Sequence, residues 1–266
     1  MKNTRYKKAS SRIVQRRKKR HYASLVLKIG LPIIFLIGVI FILRADFLQV
    51  ESFDVLGTET VKSESIKNIA INFTSGNYFF LIPKSNILFL NKEKLVNTLL
   101  SEFPRLEKVK IGKQFFNNIV ELKVIERSAD FLWCSLEDKC FLMDKNGLVF
   151  EKAEILGNRL VFRGILEGSP VMQNFATTEK IQNYLKLIEH FRTANVDVLS
   201  INIESSDKAI ANTTMGEIFF SPNESDLSLI AQNVVLLINE TKSKNPTAKF
   251  QYIDARFGNK MFYKLY

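Results

Sequence analysis

The run LVLKIGLPIIFLIGVIFIL occupies residues 25–43 and carries a single charge, Lys28, one turn from its start. At 1.5 Å per residue a helix of this length reaches roughly 28 Å, close to the ~30 Å hydrocarbon core of a bilayer. Lys28 is near enough to the end to extend its ammonium back to the headgroups. Pro32 is expected in the first turns of the helix, where a missing N–H does least harm. A core helix of a soluble protein would show a polar face over such a length. A cleaved signal peptide would need small residues at −3 and −1, which Phe41-Ile42-Leu43-Arg44-Ala45 does not offer. The run therefore predicts a single transmembrane helix.

Its flanks predict the orientation. The chain has 38 Lys+Arg against 27 Asp+Glu, a formal net charge of +11. Eleven of those bases lie in residues 1–28 with no acid among them, which leaves 27 bases and 27 acids for residues 29–266. The pI of about 9.5 thus belongs to the N-terminal flank. A basic segment directly before an apolar span marks the cytoplasmic side. Residues 1–24 are read as a basic cytoplasmic tail resting on the inner leaflet, with no nucleic-acid role, and everything after residue 43 as exported.

The exported part exceeds one small domain, and two are expected, over residues 47–127 and 128–266. The first reads strand, helix, helix, strand, strand. Val50 to Leu56 alternates and stops at Gly57. A helix is expected from Ser63, as its N-cap, to Ile71, with Ile66, Ile69 and Ala70 on one face. After the apolar stretch 78–83 a second helix runs from Lys92 to Glu102 and ends before Pro104. Residues 106–111 and 119–125 then alternate as a hairpin around Phe116-Asn117-Asn118. In the second domain, strands 131–134 and 140–144 precede an Asn146-Gly147 turn into Leu148. A helix over 178–193, strands at 197–204, 208–211 and 218–220, a helix over 225–240, and strands at 251–255 and 261–265 follow. The fold class is α+β, one transmembrane helix followed by two mixed domains.

Four stretches, in order, resemble the FtsQ/DivIB family of bacterial cell-division proteins. They are Phe53-Asp54-Val55-Leu56-Gly57; Phe103-Pro104-Arg105 to Val109 with Val124-Ile125-Glu126-Arg127; Asp144 to Phe150; and Tyr252-Ile253-Asp254-Ala255-Arg256-Phe257. The resemblance implies a POTRA domain (β-α-α-β-β) followed by a β domain. It also implies a non-enzymatic divisome scaffold at the septum that gathers FtsB/DivIC-like and FtsL-like bitopic partners. Ala255 replaces the usual Leu, and the apolar stretch Phe79-Phe80-Leu81-Ile82-Pro83 with Ile87-Leu88-Phe89-Leu90 is longer than the family loop. Strand addition is the expected mode of binding. With the chain ending at Tyr266, residues 261–265 are expected to form an open edge. Arg256 would meet an acidic partner group, Phe257, Met261 and Tyr263 would serve as contacts, and Gly258 would allow the turn. The structural alternatives are core packing for Phe257 and Tyr263 and an internal ion pair for Arg256.

Cys134 and Cys140 flank a predicted hairpin, where opposed positions come within disulfide reach if the register is right. Two half-buried thiols are the alternative. With His21 and His190 as the two histidines, metal and cofactor sites are not expected. Asp144-x-Asn146-Gly147 is a turn, because its Gly falls at the wrong place for a calcium loop. No nucleophile elbow, Walker motif or Gly-rich dinucleotide loop occurs, so no enzyme and no small-molecule substrate is predicted. Sequons at Asn72, Asn212, Asn223 and Asn239 raise a rival, a type II membrane glycosyltransferase, but no two Asp are spaced as an Asp-x-Asp site. A second rival is a POTRA-type protein of export or surface assembly.

Overall fold

A computed structural model describes residues 11–114, 117–155, 157–224, 226–258 and 260–266, with backbone alone for residues 11–18, 20, 21, 113 and 114. Residues 1–10 of the predicted tail, Phe116 of the predicted hairpin and Ser225 of the predicted last helix lie outside the described residues. The chain divides into two units, Met1–Leu99 with Val109–Val124, and Leu100–Lys108 with Ile125–Tyr266. The boundaries between the units fall within the stretches Lys92–Glu102, Leu106–Gln114 and Ile119–Glu126.

In unit 1, helix α1 (Ser11–Leu43) continues the apolar run back through most of the basic flank. Its segment Tyr22–Leu43 is long and apolar enough to cross a membrane. Pro32 consequently stands inside the helix, which corrects the expectation of a first-turn position. The reason is that the run of helix-forming Arg and Lys upstream extends the helix past the apolar boundary. Without the Pro32 N–H, the Lys28 carbonyl loses its intrahelical donor at the end of the apolar segment that the tail adjoins.

Strand β1 (Ser52–Leu56) buries Phe53 and Val55 on one face, the period of two that its sequence shows. Helix α2 (Ser63–Phe73) buries Ile66 and Ala70 one turn apart. Its cap position is Lys62, without a side-chain cap, so Ser63 is the first helical residue and not the predicted N-cap. The Lys62 carbonyl already accepts from Ser65 N–H at 3.0 Å, which starts the helix a residue earlier. A short hairpin, β2 (Asn77–Tyr78) and β3 (Ile82–Pro83), precedes helix α3 (Lys92–Glu102), which buries Leu95 and Leu99. The Asn91 Oδ1 accepts from Lys94 N–H and caps α3. Strands β4 (Leu106–Gln114) and β5 (Ile119–Glu126) complete a three-stranded sheet with β5 central and β1 parallel to it. Gly57 ends β1 with φ +89°, and any Cβ there would collide with the Val124 carbonyl oxygen.

Unit 2 contains a ten-stranded sheet. Its strands are β6 (Phe131–Cys134), β7 (Cys140–Met143), β8 (Leu148–Lys152), β9 (Val161–Arg163), β10 (Gln173–Asn174), β11 (Val198–Ile203), β12 (Ala209–Thr213), β13 (Gly216–Phe220), β14 (Phe250–Phe257) and β15 (Lys260–Leu265). The order across the sheet is β10-β8-β7-β6-β9-β11-β12-β13-β14-β15. Sequence periodicity left β9 and β10 unread. The helices are α4 (Thr178–Thr193), capped by the Thr177 hydroxyl, and α5 (Leu227–Lys244), capped by Asp226. Each of these helices leads into a strand of a parallel pair, α4 before β11 beside β9 and α5 before β14 beside β13, as a crossover requires. Ile181, Tyr184, Leu187 and Phe191 of α4 and Ala231, Val234 and Ile238 of α5 are buried with Ile201, Ile218, Phe220 and Ile253 of the sheet. That packing covers one face of the sheet from β11 to β14.

Two of the four sequence stretches singled out above meet inside unit 2. Arg127, with its side chain 14% exposed, pairs through Nη1 with Asp144 Oδ2 at 3.0 Å and donates Nε to the Pro104 carbonyl at 3.1 Å. The Arg105 carbonyl accepts from Arg127 N–H at 2.7 Å. Arg105 pairs with Glu151 and lies 5.6 Å over the Phe150 ring. Asp144 also accepts from the N–H groups of Asn146 and Leu148 through Oδ1. Its Oδ1 thereby forms the turn while its Oδ2 holds Arg127.

Candidate partner-binding edge

β15 is the last strand in the order of the large sheet and, among the described residues, is bonded on one side only, antiparallel to β14. Its other side presents a row of backbone donors and acceptors, the feature that lets a sheet accept a strand. The β14–β15 hairpin holds Arg256 beside Phe257, with Gly258 in its turn, and carries Met261 and Tyr263 on β15. Gly258 makes the turn at φ +62° with open space around it.

The register sorts the side chains by face. Ile253 lies opposite Tyr263 and Asp254 opposite Phe262. Tyr263, 47% exposed, sets its ring edge-on to buried Phe250 at 5.7 Å, and Met261 packs against the core of unit 2. Phe262 points the other way, 54% exposed, with its ring 5.4 Å from that of Phe257, which is equally exposed. Leu265 and Tyr266 add further exposed apolar surface. The exposed apolar contact surface is therefore carried by Phe257 and Phe262, while Met261 and Tyr263 share their area with the core.

Arg256 is held from within the strand. Its Nε and Nη2 reach the two oxygens of Asp254 at 2.9 and 2.7 Å, a bidentate fork between residues two apart on one face. Asp254 is 7% exposed. Burial pushes its carboxyl up, but the Arg256 side-chain and backbone hydrogen bonds, with the charges of Arg256 and Lys208, outweigh that and hold it below the ordinary value. The hydrogen bond to Asp254 raises the Arg256 guanidinium in return. The guanidinium also lies 5.4 Å from the Phe257 ring.

Sequence reasoning missed Phe262 and the neighbours that extend this face inward. Phe219 and Tyr252 stack with planes 5° apart and centroids at 5.6 Å, and Lys208 sits 5.1 Å over Phe219 while pairing with Glu204. The signal for Phe262 was present: it alternates with Tyr263 and so must face opposite it. The Asp254–Arg256 pair was also legible, since residues two apart in a strand share a face.

The two cysteines lie elsewhere in the sheet. Cys134 and Cys140 stand directly opposite in the β6–β7 pair, Cα atoms 4.1 Å apart, and are joined by a disulfide. Among the described residues no group of three or more His, Cys, Asp or Glu is placed to hold a metal.

An α+β chain with an apolar N-terminal helix and an open sheet edge has relatives in cell division. The chain is 30% identical over 133 residues to the cell division protein DivIB of Clostridium botulinum strain Hall, covering 49% of this chain and 47% of that protein. DivIB of the Loch Maree strain matches to the same extent. An uncharacterised protein of Aquifex aeolicus is 29% identical over 119 residues, 44% of this chain and 50% of its own length. The chain thus spans about half the length of the curated relatives it matches. No protein-family model matches it. These similarities support an FtsQ/DivIB-like relationship and suggest a role in cell division.

Proposed function

We propose that this protein is a single-pass membrane scaffold of the divisome, with its N-terminus in the cytoplasm and both units outside. In this reading α1 is its anchor, the β1-α2-α3-β4-β5 unit is a POTRA domain over residues 47–127, and residues 128–266 form a β domain. It acts without catalysis, at the septum, by holding bitopic partners of the FtsB/DivIC and FtsL type. The observation that carries the proposal is the open β15 edge flanked by exposed Phe257 and Phe262. A partner strand would add to β15 through backbone hydrogen bonds, and the two rings would fill apolar positions on it. Arg256, already forked to Asp254, would position Phe257 and meet an acidic partner residue only with its remaining donors.

Deletion of residues 257–266 from the full chain tests this. The expected result is loss of capture of FtsB-like and FtsL-like proteins in a membrane pull-down, with mid-cell recruitment of a fluorescent fusion followed in parallel. Unchanged capture by a folded truncated protein would remove the edge model. A fusion spread evenly over the membrane in the intact protein would remove the division reading itself.

A further inference from the structure

The β2–β3 hairpin turns at Tyr78-Phe79-Phe80-Leu81, where Leu81 N–H donates to the Tyr78 carbonyl at 3.0 Å. Both central residues have positive φ, +47° for Phe79 and +60° for Phe80. Two successive positive φ values at the centre of a hydrogen-bonded four-residue turn, here within a three-residue hairpin loop, are the type I′ pattern, which favours Asn-Gly because a Cβ crowds the backbone there. Here both positions carry phenylalanine, and the rings are 91% and 92% exposed. A strained aromatic pair left in water gives the fold nothing in return, and such outliers point to a contact outside it.

The position of the turn identifies that contact. Leu43 is the last residue of α1, and its carbonyl accepts from Asn86 Nδ2 at 2.7 Å and from Gln49 Nε2 at 3.0 Å. The Ser85 hydroxyl donates to Gln49 Oε1 at 2.8 Å, and Arg44 donates Nη1 to the Leu81 carbonyl at 3.3 Å. The hairpin is therefore fastened to the very end of the apolar helix. Lys84 lies 6.0 Å from the Tyr78 ring, so a cation and an amphipathic aromatic flank the tip, the residue types found where protein meets headgroups. Phe47, in the short turn Asp46–Leu48 that follows α1, is 63% exposed as well.

We propose that Phe79 and Phe80 insert into the leaflet that α1 leaves at Leu43, a shallow second membrane contact that sets how unit 1 rests on the bilayer. This rests on α1 spanning the membrane. The occupant is lipid because the rings project from a turn tied to the end of the membrane helix, and an amphipathic element buries its apolar side at the headgroup–acyl boundary.

The test uses full-length protein in liposomes of phosphatidylcholine and phosphatidylglycerol, with and without bromine on the acyl chains. Tryptophan is introduced at Phe80→Trp, at Ile34→Trp within α1 and at Leu136→Trp in the exposed β6–β7 loop, and the signal of Trp133 is subtracted. Phe80→Trp is expected to emit to the blue and to lose most of its added emission to brominated lipid, as Ile34→Trp does, while Leu136→Trp keeps its emission. If Ile34→Trp is quenched and Phe80→Trp emits like Leu136→Trp, the hairpin inference fails and the anchor stands. If neither is quenched, the anchor fails with it. A blue-shifted but unquenched Phe80→Trp would mean that protein covers the tip, and would equally overturn the proposal. The double variant Phe79→Asn, Phe80→Gly should leave the thermal unfolding midpoint in detergent unchanged or raised. A lowered midpoint would assign the rings to the fold and overturn the proposal.

Discussion

At the scale of single residues, two positions carry more of the structure than their size suggests. Gly57 combines φ +89° with a carbonyl where its Cβ would stand. Gly57→Ala should therefore cost about 2–4 kcal/mol, from the left-handed conformation and the displaced β5 backbone together. Thermal or denaturant unfolding of the full chain in detergent reads this directly. The second is the Asp254–Arg256 fork. Because the folded Asp254 carboxyl lies below its ordinary value, the pair contributes stability that is present above the unfolded pKa of about 4. That contribution is lost as pH falls through the folded value. The wild-type chain should accordingly lose stability on acidification below about pH 4. Asp254→Asn should flatten that part of the profile. Arg256→Ala should cost about 1–3 kcal/mol even at neutral pH, since it leaves a buried carboxylate without its donors. If Arg256→Ala instead leaves unfolding untouched and abolishes partner capture, the guanidinium serves the partner and not the strand.

At the scale of elements, the β6–β7 hairpin carries a covalent clasp between residues six apart in sequence. A loop this short loses little chain entropy on closure, so the double change Cys134→Ser, Cys140→Ser should lower stability by only about 2 kcal/mol. Intact mass under non-reducing conditions checks that the bond is present, and unfolding with and without reductant checks the size of its effect. How much of this was legible in the sequence depended on element length. α3 and α4 run over the residues their periodicity marks, because each shows a buried stripe at helical spacing over three turns or more. β9 and β10 have three and two residues, too few for alternation to stand out, and they are strands only because the sheet beside them supplies partners. Ser63 and Pro32 were misplaced for a common reason. Helix starts depend on φ and ψ at one residue and on the strength of what precedes it, and neither is written in the residue type alone. The edge itself was legible, since alternation over residues 261–265 gave a strand with two unlike faces. Phe219, Tyr252 and Lys208 were not, because their meeting depends on the parallel β13–β14 pairing, which no local pattern specifies.

At the scale of the whole chain, the division of charge is the feature with the widest consequence. α1 has 33 residues and so reaches about 50 Å, well beyond the ~30 Å a bilayer core needs. If Tyr22–Leu43 fills the core, the turns from Ser11 onward project on the tail side and carry Arg12, Arg16, Arg17, Lys18, Lys19 and Arg20. Each such base near an anionic leaflet is worth about 1 kcal/mol, and together they outweigh the other flank, where Arg44 is the only Lys or Arg in residues 44–61. Replacing those six residues by Gln should then turn a uniform orientation into a mixture, while the fold of both units stays as it was. A reporter active only outside the membrane, fused after Tyr266, measures this: full activity in the parent chain, and a substantial fall in the variant at equal protein level. Protease accessibility of residues 44–266 in intact cells gives the same answer without the fusion. Because the membrane contact proposed for Phe79 and Phe80 lies at the far end of α1, the fraction that keeps the parental orientation should retain it. If the Gln variant stays uniformly oriented, the basic turns do not direct insertion, and Arg44 with the folded units must set the topology instead.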